Sequence, residues 1–240
     1  MKKHISVFSL IARESIYRIF FVWLLSAGVQ ITVFLSVLKN LKEDYIPSLT
    51  QIIDKSYINV FFFVTIIAVA VFLCKTGMQF NSKTGYTLRR LLISEKAVFG
   101  WQCLYNIIML MLTWLLEVVL CFMLLKIGTN LLPEEFITNQ SIYLAFYQTQ
   151  FIQNLFAGRD IARIIRNILT VISLGVSFAA FSYQWRRGKK WLVAPFATAV
   201  LLFYVMNISE LGYDIASIFA MLIILFSSLI TVLGGQKYDA

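Results

Sequence analysis

Long stretches without charge divide this chain, and they constrain its fold more than any other feature. A helix needs about 20 mainly apolar residues to cross the roughly 30 Å hydrocarbon core of a bilayer. The chain has six such runs, at about residues 19–38, 57–74, 101–125, 164–183, 191–208 and 215–233. Because a spanning segment in lipid must satisfy its own backbone hydrogen bonds, we predict an all-α membrane protein. Residues 1–240 would form one bundle of six transmembrane helices.

The composition and the distribution of charge agree with this fold class. With 60% hydrophobic and 14% charged residues, the chain is more apolar than soluble domains are. Its net charge of +9 would suggest a nucleic-acid partner in a soluble protein. Here Lys and Arg concentrate in the N-terminal segment and in residues 75–100 and 186–190, which share one side if the N-terminus is inside. The positive-inside rule then predicts that both termini are cytoplasmic, and no nucleic-acid partner is expected.

The N-terminal segment, residues 1–17, has the pattern of an amphipathic helix. Its apolar residues fall on one helical face, and its charged residues lie opposite: Ile5, Phe8, Ala12 and Ile16 form the apolar face. This pattern predicts a helix that lies in the membrane interface, with basic side chains toward anionic headgroups. A simple charged lead-in to the first span is the alternative.

Residues 126–163, between the third and fourth runs, are predicted to form an outer loop and helix. Within them, residues 142–158 carry Gln and Asn side chains that make a crossing costly, so we expect a re-entrant or interfacial helix. A spanning helix there would instead place residues 186–190 outside. An outer basic cluster follows on one helical face: Arg159, Arg163 and Arg166. These side chains could hold a cargo carboxylate or a lipid phosphate, but snorkelling to headgroups is the expected arrangement.

Glu117 is the acidic residue within a predicted span. A charge near mid-membrane costs about 2.5–3.5 kcal/mol on insertion scales, so such a residue faces a bundle interior or a wet cavity. We predict that it lines a translocation path or pairs across a subunit interface, in which case Glu117→Gln alters transport more than folding. The alternative is a structural role, protonated or hydrogen-bonded to Trp114 or to a neighbouring helix.

Signals for catalysis, metals or cofactors are missing from the sequence. There is no Gly-rich phosphate-binding motif, so this chain is not expected to bind ATP itself. The single histidine, His4, has no second histidine with which to form a metal site or a catalytic dyad, and the three cysteines lack metal-site spacing. We therefore predict neither catalytic residues nor a metal centre or cofactor in this chain.

The segment from Lys75 to Gly100 is a polar stretch between two apolar runs. Gly85 can break a helix that continues from the second span. A short helix from Tyr86 to Ile93 would then present an apolar ridge flanked by charge: Leu88, Leu91 and Leu92 with Arg89 and Arg90. Ser94 is a good N-cap, and Glu95 in the first turn favours a new helix running into the third span. The segment is predicted to be a cytoplasmic docking element; a basic loop that only anchors topology is the alternative.

The run Gly85-Tyr-Thr-Leu-Arg-Arg-Leu-Leu-Ile-Ser resembles the coupling-helix region of ABC-2 type transporter permeases. The amphipathic N-terminal segment and the six spans are similar to that family too. The resemblance implies a permease that pairs with itself or a sister permease and binds two cytoplasmic ATP-binding subunits, which carry ATP and Mg. The residues that it implies for ATPase coupling are Gly85, Tyr86, Leu88, Arg89, Arg90, Leu91, Leu92 and Ser94.

The same resemblance implies a location and a class of cargo. The chain is similar to small permeases of antimicrobial-peptide export and immunity, which implies a multi-pass protein of a bacterial plasma membrane. Peptide, drug and lipid-like cargoes are all compatible with the residues. Two alternatives stay open, a secondary transporter and a non-catalytic membrane scaffold, and either would use Glu117 as an intramembrane polar site.

Overall fold

The computed structural model describes residues 2–40, 49–75, 94–131, 141–157, 160–187 and 210–234, together with positions 196, 198–200, 202, 203 and 205. Within these residues the backbone is helical apart from short turns, and no strand is present. The helices with described bounds are α1 Lys2–Lys39, α2 Leu49–Lys55, α3 Ile58–Lys75, α4 Glu95–Leu131, α5 Ser141–Gln148, α6 Gln150–Phe156, α7 Ile161–Arg186 and α8 Leu211–Leu233.

Five of these helices are long and apolar enough to cross a membrane: α1 from Ile5 onward, α3, α4, α7 and α8. Four of them, α1, α4, α7 and α8, each enclose one predicted span. Helix α3 is displaced by one residue from the predicted span 57–74. The remaining predicted span, residues 191–208, falls largely outside the described residues. The prediction of an all-α, multi-pass membrane fold is confirmed, whereas the count of six spans stays a prediction.

Residues 1–17, predicted as a separate interfacial helix, are from Lys2 onward the first part of the 38-residue helix α1. Neither glycine nor proline precedes Gly28 in the sequence, so no helix breaker separates the two parts. One face of the first part is buried in the bundle, through residues spaced four apart: Val7, Ile11, Ser15 and Ile19. At about 1.5 Å per residue, α1 is much longer than the hydrocarbon core is thick. The interfacial position of its first turns stays a prediction.

Helices α1 and α4 run side by side in the same direction. Near their starts, the Ser15 and Tyr105 hydroxyls lie 2.8 Å apart. Farther along both helices, Gln30 Nε2 donates to Glu117 Oε2 over 3.1 Å. The contacts advance together along both chains, so the two helices are parallel.

Helix α7 runs antiparallel to α4 and approaches it closely. Asn106 Nδ2 donates to the Gly175 carbonyl over 3.2 Å, and Arg187 Nη2 lies 3.3 Å from Glu95 Oε2 at the start of α4. A Cβ atom on Gly175 would lie only 2.6 Å from Ile107 Cγ1 and 3.1 Å from the Ile107 backbone nitrogen. Glycine is therefore what permits this close crossing of the two helices.

Helix α8 lies beside α7 and runs parallel to it. Ser173 Oγ donates to the Met221 carbonyl, and Gln184 Nε2 donates to the Thr231 carbonyl, each over 3.1 Å. The sequence separation between contacting residues is nearly constant, 48 in the first pair and 47 in the second. This constant offset requires the two helices to run in one direction.

These directions divide the bundle into two ends. At the first, which we call the Glu95 end, α1 and α4 begin, and α3, α7 and α8 finish. There the Ser182 hydroxyl donates to the Cys74 carbonyl over 2.8 Å and joins the ends of α7 and α3. At the second, the Asp214 end, α7 and α8 begin. Residues 76–93 thus connect two helices at the Glu95 end, whereas residues 188–209 connect helix termini at opposite ends.

The predicted outer region, residues 126–163, contains two short helices at the Asp214 end. With 8 residues in α5 and 7 residues in α6, neither is long enough to cross a bilayer. The Thr50 hydroxyl of α2 donates to Gln148 at the end of α5 over 3.2 Å. Trp114 Nε1 of α4 donates to the Leu155 carbonyl of α6 over 2.9 Å. The two short helices therefore pack against the long ones.

Candidate functional site

Glu117 lies inside the bundle, where α4 faces α1 and α3. Its side chain is 1% exposed and accepts a hydrogen bond from Gln30 of α1, which is 0% exposed. The alternative of a hydrogen bond to a neighbouring helix is therefore confirmed. A bond to Trp114 is wrong, because the single indole N–H of Trp114 donates to Leu155.

A chain of hydrogen bonds extends from Glu117 through α1 to α3. Gln30 Nε2 also lies 3.3 Å from Ser26 Oγ, one turn earlier in α1. Ser26 Oγ is 2.6 Å from Thr65 Oγ1 of α3, and Thr65 Oγ1 donates to the Phe61 carbonyl over 2.8 Å. Four buried polar side chains thus link three helices. We call Gln30, Ser26, Thr65 and Glu117 the Glu117 network.

Two acceptor atoms of this network have no hydrogen-bond partner among the described residues. They are Gln30 Oε1 and Glu117 Oε1, on the same two side chains that already share one hydrogen bond. Buried polar atoms are nearly always satisfied, and those left unsatisfied are costly in an apolar medium. The Gln30–Glu117 pair therefore requires a further hydrogen-bond donor.

A second buried network lies at the Asp214 end and is ionic. Arg166 of α7 is 1% exposed, and its Nη1 forms an ion pair with Asp214 Oδ1 of α8, which is 2% exposed. Arg163, one turn earlier, places Nε 3.5 Å from Asp214 Oδ2 and 3.4 Å from Asp160 Oδ2. Two arginines and two aspartates balance in charge. We call these four residues the Asp214 network.

Two asparagines complete the surroundings of Arg166. Asn167 Oδ1 accepts from Arg166 Nε and Nη2, each over 3.3 Å, and Asn167 Nδ2 donates to the Asn154 carbonyl over 2.7 Å. The Asn154 and Leu155 carbonyls are available because the last carbonyls of a helix lack partners within it. The end of α6 is thus capped by side chains of α7 and α4, and the positive charge of Arg166 suits this negative helix end.

The two described members of the predicted outer basic cluster, Arg163 and Arg166, are mostly or fully buried. Snorkelling is wrong for Arg166, which is buried and paired. Arg163 is mostly buried and paired as well, and Arg159 lies outside the described residues. With its charge balanced by Asp214, Arg166 is already engaged within the chain, and binding of a cargo carboxylate or a lipid phosphate by this cluster stays a prediction.

Most of the predicted coupling residues lie outside the described residues: Gly85, Tyr86, Leu88, Arg89, Arg90, Leu91 and Leu92. Ser94 is described, and the helix start expected there is confirmed, since its Oγ accepts from the Ala97 N–H over 3.4 Å and α4 begins at Glu95. Arg187 binds Glu95 at 3.3 Å and lies 4.6 Å from the centre of the Tyr183 ring. The start of α4 is thus held to the end of α7, and the coupling role stays a prediction.

A depression of about 350 Å³ also opens at the Asp214 end, between α2, the start of α3 and α6. Its polar lining includes Asp54, Tyr57, Asn59 and Gln150. Partial burial raises the pKa of Asp54 above its ordinary value. Tyr57 has a positive φ of 51°, at the sharp turn between α2 and α3. The depression is mixed in character, with one carboxyl group among amide, phenol and apolar side chains.

Sequence reasoning missed several residues of the two networks and of their surroundings: Gln30, Ser26, Thr65, Asp160, Asp214, Asn154 and Asn167. A signal existed for some of them. Gln30 is an amide within an apolar run, where polar side chains are expected to find a partner. Asp214 and Arg166 both lie near the outer ends of predicted spans. Their opposite charges did not indicate which residues would pair. What the sequence lacked was the rotation of each helix, which decides which polar side chains meet.

Comparison with protein-family models, with curated proteins and with solved structures gives no match to this chain.

Proposed function

We propose that this chain is the permease subunit of an ABC-2 type ATP-binding-cassette exporter. Six spans with both termini in the cytoplasm would carry peptide, drug or lipid-like cargo out of the membrane or cell. Separate ATPase subunits would bind ATP and Mg and supply the energy. The location would be a bacterial plasma membrane, with a second permease subunit as partner.

The observation that carries the proposal is the common end of α3 and α4. Helix α3 ends and helix α4 begins at the Glu95 end, so the basic run with the sequence Gly85 to Ser94 lies in the connection between them. The N-cap at Ser94 supports the helix start that a coupling element requires. A force on the run would act directly on α3 and α4, the two helices that it joins.

The ion pair between Glu95 and Arg187 extends this path to a third helix. It joins the first turn of α4 to the last turn of α7, beside the second basic turn of the chain. A push on the coupling segment would then reach α7 and, through its parallel contact, α8. This pair is partly exposed, so we expect it to guide motion more than to stabilise the fold.

The sixth span is supported by the parallel course of α7 and α8. Residues 188–209 connect the end of α7, at the Glu95 end, to the start of α8, at the Asp214 end, and this favours a further crossing between them. The helical residues 196, 198–200, 202, 203 and 205 agree with a return span. Six crossings put both termini on one side, which the excess of Lys and Arg makes the cytoplasm.

A non-catalytic membrane scaffold is the second candidate, and the burial of Glu117 favours it. The carboxyl group is enclosed by the chain's own helices, which suits a structural role better than contact with cargo. A scaffold requires no ATP-binding partner. Copurification therefore separates the two candidates.

The test is to purify the tagged full chain from its native membrane and to measure bound protein that hydrolyses ATP. We expect such a partner with the wild type. Leu91→Glu should reduce its recovery about tenfold or more, since an unpaired carboxylate buried in a contact costs more than about 1.4 kcal/mol. The matched control is Leu211→Glu, the same substitution at an exposed residue of the Asp214 end. Equal recovery with both variants, or no ATPase with the wild type, contradicts the proposal.

A further inference from the structure

The hydrogen atoms of the Glu117 network can be assigned from one end. Thr65 Oγ1 donates to the Phe61 carbonyl over 2.8 Å, and a hydroxyl group has a single hydrogen to donate. Thr65 Oγ1 must therefore accept in its 2.6 Å contact with Ser26 Oγ. The hydrogen of Ser26 is used in that bond, so Ser26 accepts from Gln30 Nε2 at 3.3 Å.

The amide of Gln30 then uses both of its N–H groups. One hydrogen is donated to Ser26 Oγ and the other to Glu117 Oε2, at 3.1 Å. Every N–H and O–H of the network is now engaged. The two atoms that remain, Gln30 Oε1 and Glu117 Oε1, are both acceptors and lack a partner among the described residues.

One additional proton satisfies both atoms. On Glu117 Oε1 it turns the carboxylate into a neutral acid whose O–H donates to Gln30 Oε1, while Gln30 Nε2 continues to donate to Oε2. We propose that Glu117 binds a proton in the folded protein and closes a cyclic pair of hydrogen bonds with the Gln30 amide. This acid–amide pair is a proton-binding site that joins α1 to α4.

The groups around Glu117 favour a proton over a neighbouring cation. Helix α1 presents Gln30 and Ser26 to it, α3 presents Thr65, and α4 itself contributes the titratable Cys121 one turn on. In the described part of the chain, no Lys, Arg or His forms an ion pair with Glu117. The buried arginine of α7, Arg166, is engaged by Asp214.

A bound metal ion fits this site less well than a proton does. Hard cations take about six or more oxygen ligands, and here two of the candidate oxygens, on Ser26 and Thr65, bond to each other at 2.6 Å. The N–H of Gln30 points at Glu117 Oε2, where it would compete with a cation for the carboxylate. The proposal is independent of the permease function, since it rests on atoms within one chain.

If Glu117 and Gln30 form the acid–amide pair, Glu117→Gln should preserve both hydrogen bonds. The amide of the variant can donate to Gln30 Oε1 and accept from Gln30 Nε2, so it reproduces both hydrogen bonds without a proton. We expect this variant to fold as the wild type does. A translocation-path role also predicts normal folding of this variant, so spectroscopy of the Glu117 carboxyl group is the deciding measurement.

The test is infrared spectroscopy of the full chain in lipid bilayers at neutral pH. We expect the wild type to show a carboxylic-acid carbonyl band that is lost in Glu117→Gln. The control Glu95→Gln, at a mostly exposed side chain, should lose carboxylate bands instead. Gln30→Leu should keep the acid band and shift it to higher frequency, because the acid then loses its amide partner.

Three results overturn the proposal. Loss of carboxylate bands in Glu117→Gln would show that Glu117 is ionised. An unshifted acid band in Gln30→Leu would show that the acid does not pair with Gln30. Carboxylate bands of Glu117 that change when Na⁺ is exchanged for K⁺ would identify a metal ion in place of the proton. Carboxyl-labelled glutamate distinguishes a glutamic-acid band from an aspartic-acid band in the wild type and in Gln30→Leu, and Glu117→Gln assigns that band to Glu117.

Discussion

Among the described residues, two carboxyl groups are almost completely buried, Glu117 at 1% exposure and Asp214 at 2%, and their surroundings differ in charge. Asp214 faces two arginines and belongs to a network whose charges balance. Glu117 faces an amide, with two hydroxyl groups beyond it. In the described part of its surroundings, no cation forms an ion pair with it. One carboxyl group is thus held by opposite charge and the other by neutral hydrogen bonds.

Because of this difference, the two networks should lose different amounts of stability when one member is removed. A buried ion pair leaves an uncompensated charge when one partner is removed, which is strongly destabilising. A neutral interhelical hydrogen bond in a membrane contributes much less, since the unfolded chain in lipid also finds partners. The Asp214 network should therefore tolerate far less change than the Glu117 network.

The largest effect is expected from Asp214→Ala. This variant leaves Arg166 buried without its ion-pair partner, and we expect the free energy of unfolding to fall by about 3–5 kcal/mol. The measurement is SDS-induced unfolding of the purified chain in mixed micelles, followed by loss of helical circular dichroism.

The matched control for Asp214 is Asp160→Ala, which removes the same charge from the same network. The Asp160 side chain is 61% exposed, so its pair with Arg163 should contribute at most about 1 kcal/mol. Similar losses for the two variants would mean that burial does not distinguish these aspartates.

The crossing of α4 and α7 connects the two networks and gives the next largest effect. In Gly175→Ala the new Cβ would meet Ile107 Cγ1 at 2.6 Å, so the two helices must separate or shift. We expect a loss of about 1–3 kcal/mol in the same unfolding measurement.

Gly100→Ala is the control for that crossing. No atom lies within 4 Å of a Cβ built on Gly100, so alanine there meets open space. Because alanine favours a helix over glycine by about 1 kcal/mol, we expect no loss and a small gain. If both alanine variants unfold alike, the close crossing at Gly175 is not what limits the packing of α4 against α7.

The smallest effect is expected within the Glu117 network. Thr65→Val removes a hydroxyl group that links α3 to Ser26 of α1 at 2.6 Å, while it keeps the shape of the side chain. We expect a loss on the order of 0.6 kcal/mol, and at most about 1.7 kcal/mol. In the control Thr32→Val, the lost hydroxyl bonds only within α1, to the Val29 carbonyl, and lies at an exposed position. A loss for Thr65→Val as large as that for Asp214→Ala would remove the contrast between the two networks.

Helix existence and several helix ends were predictable from the sequence. The apolar runs predicted five helices that the structure describes, and Ser94 with Glu95 predicted the start of α4. The predictions were weaker where a boundary depended on packing. Nothing in the local sequence divides the first part of α1 from the span that follows, so an expected separate helix is continuous with it.

The sequence also singled out Glu117 and the arginines but named few of their partners. In water, an apolar stripe shows which face of a helix is buried. In lipid, both faces are apolar, and pattern alone does not distinguish them. In α1, for example, Leu24 and Leu25 are exposed on the bundle surface while Phe34 is fully buried. The direction in which Glu117 points could therefore not be predicted.

The sequence by itself determined that the chain is a bundle of membrane helices, which of its residues are costly in lipid and which end carries the basic segments. These properties depend on composition and on the length of each apolar run. Only the tertiary structure decided that Arg166 meets Asp214, 48 residues away, and that Glu117 meets Gln30, 87 residues away. The reason is that such pairs depend on the rotation and register of whole helices. Those are set by packing at close contacts such as Gly175 against Ile107, because a hydrophobic pattern carries little information where the solvent is itself apolar.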